Sequence, residues 1–501
     1  MALDYFFTHP LLAPLWEKFA HLPPLLRHWD GQTLGQIAAE FVQPGTKPSV
    51  SAAFLDAVMT MTTPLLGQET ALALKNRLAS CPAVLSANYH CVECFPEMVQ
   101  ALHFFGLHDL CAPGAELRII PVLSCGSVSL QSPTYPRGLS LSRHVHGHAL
   151  HLPFFPSALQ DVMVCQAPAL NATMLQAMRQ KWSKGEHPLC HWEQEAVDTI
   201  VDTHILRPDI LDQSRFCQQV SRINASLCAA RYPEAKQVRV VYLEMESLVA
   251  RLLSTSLGDD QSLMYRIFFD ANLRPHILDH LAGVRGCWKT AAVNGPVLGR
   301  TGSAGTVFFW LADHKGRRCP LRLTTSGPGA VLEYKDTQIP LQPQDLCQAL
   351  STGQLIPSLF TVYTSLTLEH ELRCYGGIFL ADYLPAMIKG VLAACAQAGA
   401  PISTWTEHNP LAALPLTVQL NTADGLVPAG SVELMAAGGL TRAHLHSMAT
   451  LSIAHVLPAS LVSWYQEYIP MDQRPAGWEK ELASLAAYWK GVVVYPGLET
   501  R

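Results

Sequence analysis

Three places in this chain put reactive side chains directly after a short apolar run. His90, Cys91, Glu93 and Cys94 follow 83–89, Cys125, Gly126 and Ser127 follow 118–124, and Glu244 and Glu246 follow 238–243. A cysteine before Gly-Ser can project its sulfur from a tight turn, and the N–H groups of that turn would stabilise an oxyanion. With His90 as base, and Glu93 or Glu244 orienting it, Cys125 would act as the nucleophile or as a site-lining thiol. That grouping predicts carbonyl or acyl chemistry: transfer, hydrolysis or condensation. The turn is not a G-x-C-x-G elbow, because Leu123 and Ser127 stand where the glycines would be. A buried structural thiol is the competing reading of Cys125.

Cationic side chains in apolar stretches could hold an anionic substrate group. Arg137 and Arg373 are the first choices, with Arg285 similar in setting and Arg300 in the glycine-rich segment GRTGSAGT. Glu369, Arg373 and Asp382 form a polar group in an apolar surround, and Glu369 and Arg373 would pair if they shared a helix. Solvated helix faces and ordinary turns are the alternatives.

A second chemistry is metal binding. In HVHGHALH, the residues His144, His146 and His148 alternate and would share one face of a strand. No acidic residue lies between Arg143 and His151, and surface histidines are the bland alternative in a chain with 21 of them. The sequence therefore leaves the cofactor open, a transition metal being the candidate. Cys91 and Cys94 have the C-x-x-C spacing of a zinc half-site or redox pair, but a second pair is missing, and the aromatic surround favours structural thiols.

The elements that must position these groups form a mixed α/β chain. The expected architecture is a central, partly parallel sheet with helices, an N-terminal helical segment and an antiparallel β-meander near 306–342. Strands are predicted at 83–89, 118–124, 161–166, 238–243 and 414–420. Helices are predicted to open at Pro96, to fill most of 171–230, to follow 238–243 directly, and to fill about 343–398. The expected division is a helical cap or oligomerisation arm over 1–80, an α/β domain over 81–258 carrying the site, and an α+β domain over 259–501. In such sheets ligands bind at the carboxyl ends of the strands, which is where the reactive residues fall.

Bulk composition bounds the function. Hydrophobic residues are 49% and charged residues 15% of 501, so the chain can bury a large core with apolar area left for a ligand cavity or a homo-oligomer interface. Lys and Arg total 35 against 40 Asp and Glu, without a concentrated basic face, which argues against nucleic acid. The most apolar stretch, 378–395, carries Asp382, Pro385 and Lys389, which argues against a membrane span. The N-terminus lacks a basic region before its apolar part, so a cytoplasmic location with 14 reduced cysteines is expected. The leading expectation is a transferase or hydrolase of small-molecule metabolism or biosynthesis. A metal enzyme using the histidine cluster and a non-enzymatic oligomer or ligand carrier are the alternatives.

Overall fold

The structure, a computed structural model, describes residues 3–44, 50–86, 88–145, 148–182, 184, 188–294, 304–325, 329–400, 402, 407–423 and 425–497, without the side chains of 143–145 and 148. Five short strands form one sheet: β1 (Ala83–Leu85), β2 (Arg118–Ser124), β3 (Val238–Glu244), β4 (Arg373–Gly377) and β5 (Leu411–Ala413). Their order is β5-β4-β1-β2-β3, and every neighbouring pair is parallel. The chain lays β2 and β3 on one side of β1 and then returns to lay β4 and β5 on the other, the order of a doubly wound sheet. The protein is thus a mixed α/β chain with a parallel central sheet and smaller antiparallel ones.

Strand side chains alternate between two separate cores. Ile120, Val122, Val240 and Tyr242 pack on one face, and Ile119, Leu123, Val241 and Leu243 on the other. Burial of both faces explains why these strands read as unbroken apolar runs. Helix α1 (Pro96–Cys111) covers the first face, and it comes close because Gly106 has no side chain. A Cβ there would lie 2.3 Å from Ile120 Cδ1. Helix α2 (Phe216–Arg231) leads towards β3, and α3 (Met245–Ser256) leaves β3 without a loop to cover the second face. Pro121 is tolerated inside β2 for a geometric reason. Arg118 N–H donates to Gln237 on the β3 side, so alternation turns the Pro121 nitrogen towards β1, which pairs with β2 only at Leu85–Val122.

Several expectations change. The 1–80 segment is helical but not one cap, since Leu3 to Phe41 packs with the first face and Phe54 to Leu78 with the second. The expected boundary at 258/259 falls inside the central sheet, because β4 and β5 come from beyond it and β4 pairs with β1. Residues 161–166 alternate between two clusters as a strand would, but they make only the single bridges Ser129–Met163 and Val162–Arg317 and end in a 3-10 turn. The 306–342 region is antiparallel as expected, but divides into two small sheets, one completed by Leu355–Pro357. The strand expected at 414–420 forms at Val418–Thr422, in another small sheet.

The stretch 343–398 is not continuously helical, for it contains β4. The following helix, α4 (Ile378–Gln397), is by length and composition long and apolar enough to cross a membrane, contrary to the expectation from 378–395. Here it buries Leu380, Leu384, Ile388 and Val391 in the second core.

Candidate active site

The three runs singled out by their trailing reactive residues are the adjacent strands β1, β2 and β3, with their carboxyl ends at one edge. The strand ends are laced together. Cys125 N–H donates to Asn88 O at 3.0 Å, and His90 N–H donates to Cys125 O at 2.8 Å, which extends the β1–β2 pairing into the loops.

At the end of β2 the chain turns through Cys125, Gly126 and Ser127. The two N–H groups expected to form an oxyanion hole already hold an anion, the Glu246 carboxylate from the first turn of α3. Gly126 N–H donates to Glu246 Oε2 at 2.8 Å, and Ser127 N–H to Oε1 at 2.8 Å. The Cys125 thiol adds a third bond to Oε1, at 3.2 Å. Burial, and then the neighbouring Glu246 charge, push the Cys125 thiol well above its ordinary range. A nucleophilic cysteine needs the opposite shift, so the thiol here is a donor that positions Glu246.

Glu244 closes β3 and caps α3. It accepts from Ser247 N–H at 3.2 Å and from the Ser247 hydroxyl. It lies directly over Gly126, where a Cβ would stand 2.6 Å from Glu244 Cγ. Burial, and then the charge of Glu246 with which it shares a hydrogen bond, raise the Glu244 pKa well above the carboxylate range. Two carboxyl groups this close share a site that disfavours charge on both. Glu246 accepts from three donors, two of them backbone N–H groups, and Glu244 from two, both on Ser247.

Both carboxyl groups reach the floor of a pocket of about 390 Å³. One wall is α3, through Ser247, Ala250, Arg251 and Ser254, and the other is the segment 347–357. Cys165, Gln166 and Arg215 complete it. Sequence reasoning noted Glu246 beside Glu244 but missed Cys165, Arg215 and Arg251. Arg251 sits on the same helix as Glu246, five residues on, the one local signal that could have found it.

His90 sits beside this cluster but does not serve it. Its Nδ1 is 2.7 Å from Ser124 Oγ and its Nε2 is 2.7 Å from Cys217 O. Since a carbonyl can only accept, Nε2 carries the proton and Nδ1 accepts from Ser124. Burial lowers its pKa to about 4, so the ring is neutral and fully engaged. Glu93 is not its orienting partner: it pairs with Arg231 at 2.5 Å, accepts from Asn88 Nδ2 at 2.6 Å, and both members of the ion pair are fully buried.

The expected anion-binding residues are not gathered here. Arg137 Nε donates to Phe155 O at 2.8 Å, bracing the hairpin 138–153. Arg373 opens β4, at the amino end of the sheet and so away from the strand tips, and contacts Gln43 O and Cys81 Sγ. Glu369 does not share a helix with Arg373, because the helical segment ends at Glu369 and Glu371 turns left-handed at φ 57°. Burial raises Glu369 to about 7 beside Ser256 and Ser262. Asp382 lies in α4, 3.6 Å from Arg285 and 3.9 Å from His21. Arg300 and His146 lie outside the described residues, as do the side chains of His144 and His148.

The three histidines are not alternate positions of one strand. One strand ends at Val145, and its antiparallel partner begins at His148. Among the described residues no group of three His, Cys, Asp or Glu side chains could hold a metal ion. Cys91 and Cys94 are buried and their thiols are pushed up by that burial, which suits packing rather than redox exchange.

The fold and site together define an open parallel α/β protein with a paired-carboxyl pocket at the strand tips of its β3 edge. Compared with protein-family models, with curated proteins and with solved structures, the chain finds no match.

Proposed function

We propose that the protein is an enzyme of small-molecule metabolism that performs acid–base chemistry on a carbonyl- or acyl-type substrate in the Glu244–Glu246 pocket. The observation that carries this reading is the pair itself: two touching carboxyl groups with unlike partners, at the floor of a cavity beyond the strand ends. Environments that push two carboxyl groups apart in pKa divide them into a proton donor and a fixed anion. Glu244 would protonate the carbonyl oxygen or leaving group and recover a proton from the incoming nucleophile. Glu246, held by Gly126, Ser127 and Cys125, would keep that proton on Glu244 between turnovers. A pocket of this volume suits a small ligand. The expected chemistry, transfer, hydrolysis or condensation, is kept from the sequence reading, with the acid–base pair moved from Cys125 and His90 to the two glutamates.

The test is turnover on a panel of small esters, thioesters and carbonyl compounds. Glu244→Gln should lower kcat by about 10²–10⁴-fold, the range of general acid–base contributions. Wild-type kcat in both Glu244→Gln and Glu246→Gln on a substrate the native protein turns over would refute the assignment.

A further inference from the structure

The charged groups lining the pocket are Arg215, Arg251, Glu244 and Glu246. Two arginines thus line the cavity alongside two glutamates that are themselves buried and held by Gly126, Ser127, Cys125 and Ser247. Neither guanidinium has an ion pair or a hydrogen bond with another described residue, whereas Arg207, Arg222, Arg231 and Arg317 elsewhere are each paired with a carboxylate. Arg215 immediately precedes α2, Arg251 lies on α3, and both are exposed. Their unspent donors are five each, in a fork that fits an oxyanion in two-point fashion. The serine side chains among the lining residues, Ser247, Ser254 and Ser351, add polar surface at the same mouth.

We infer that Arg215 and Arg251 form an oxyanion clamp, and that the ligand of this pocket is a small molecule bearing a carboxylate or phosphate head, its other end directed to Glu244. The inference rests on the pocket being the active site proposed above and adds the substrate class. The head stays at the guanidiniums, because the N–H groups of the Gly126–Ser127 turn are already filled by Glu246. The resident carboxylate also sets the polarity of binding: an anion driven to the floor would meet Glu246, while one held at the rim leaves the floor for a neutral carbonyl.

The experiment is calorimetric titration of the full chain at pH 7 and low salt with inorganic phosphate, with malonate and with neutral malonamide. The clamp predicts saturable binding of phosphate or malonate, and whichever binds tighter names the head group. It predicts that malonamide does not bind and that affinity falls as salt is raised. Arg215→Ala and Arg251→Ala should each weaken anion binding about tenfold, the scale of one charge-assisted hydrogen-bond set. Both positions are exposed, so the variants should retain the native fold, checked by circular dichroism. Absence of saturable binding by either anion, or binding indifferent to both arginine substitutions, overturns the clamp. Loss of turnover in Glu244→Gln would still stand in that case. Intact anion binding with undiminished turnover in Glu244→Gln and Glu246→Gln would instead sink the acid–base reading alone.

Discussion

Cys125 shows how residue type and residue role come apart. A thiol after a strand and before Gly-Ser has the setting of a nucleophile, yet its contacts make it a donor to Glu246. It is nearly sealed, 8% exposed, and its thiol is pushed up by burial. Alkylation of the native protein should therefore label exposed Cys190 first and leave Cys125 unmodified until unfolding, as read by peptide mass mapping. Early labelling of Cys125 would restore its candidacy as a nucleophile. Cys125→Ser should keep turnover within about tenfold, because a hydroxyl also donates to Glu246. The buried pair Glu93–Arg231 is a second residue-scale case. Glu93→Gln leaves Arg231 charged and unpaired in the core, which should cost about 3–5 kcal/mol in denaturant unfolding. A loss under 1 kcal/mol would mean that Arg231 finds another partner. The reactive residue types were legible in the sequence, but their partners were not. Glu93, His90 and Arg373 each bond to residues tens to hundreds of positions away, and no local spacing encodes that.

At the scale of elements, the turn from β2 is a receptor for the first turn of α3. Gly126 is required there because Glu244 occupies the space a side chain would fill. Gly126→Ala should destabilise the protein by about 1–3 kcal/mol through overpacking and displace Glu244, with turnover falling in step. Wild-type stability and activity in that variant would show that the carboxyl group does not need its present position. Elements whose burial is two-sided and whose length is ordinary were legible: 118–124 and 238–243 match β2 and β3 within a residue, and Pro96 opens α1. β4 was not. Its five residues, RCYGG, include two glycines and present neither alternation nor an apolar run. It becomes a strand because the parallel edge of β1 stands ready to pair with it, a tertiary cause.

For the whole molecule, the doubly wound order explains why residues from three distant parts of the chain meet at one sheet edge. It also explains why a boundary read from local pattern at 258/259 failed, since the sheet is built by a return from the C-terminal half. Burial of acids inside so apolar a chain has a consequence for pH. Burial raises Glu433, which accepts from Gly430 N–H and Ser142 N–H, to about 7. Its folded value exceeds its unfolded one, so its contribution to stability is full below about pH 4.5 and is lost as pH rises through about 7. The loss is on the order of 3 kcal/mol. His90 works in the other sense: it is held neutral, and its contribution is full above about 6.5 and lost as pH falls through about 4. Because the two senses offset each other, the readout is the difference: denaturant unfolding from pH 4.5 to 8 should show Glu433→Gln gaining about 3 kcal/mol relative to the native protein. An unchanged slope in that variant would place the Glu433 proton elsewhere.

The most direct measurement is the infrared difference between the native protein and Glu244→Gln in the carboxyl carbonyl-stretch region at about pH 6, above the ordinary carboxylate range, where the bands of other buried acids cancel between the two proteins. A protonated-carboxyl band present in the native protein and missing from Glu244→Gln is the predicted result. A native spectrum without that band, or one that Glu244→Gln leaves unchanged, contradicts a proton held on Glu244 by its neighbour.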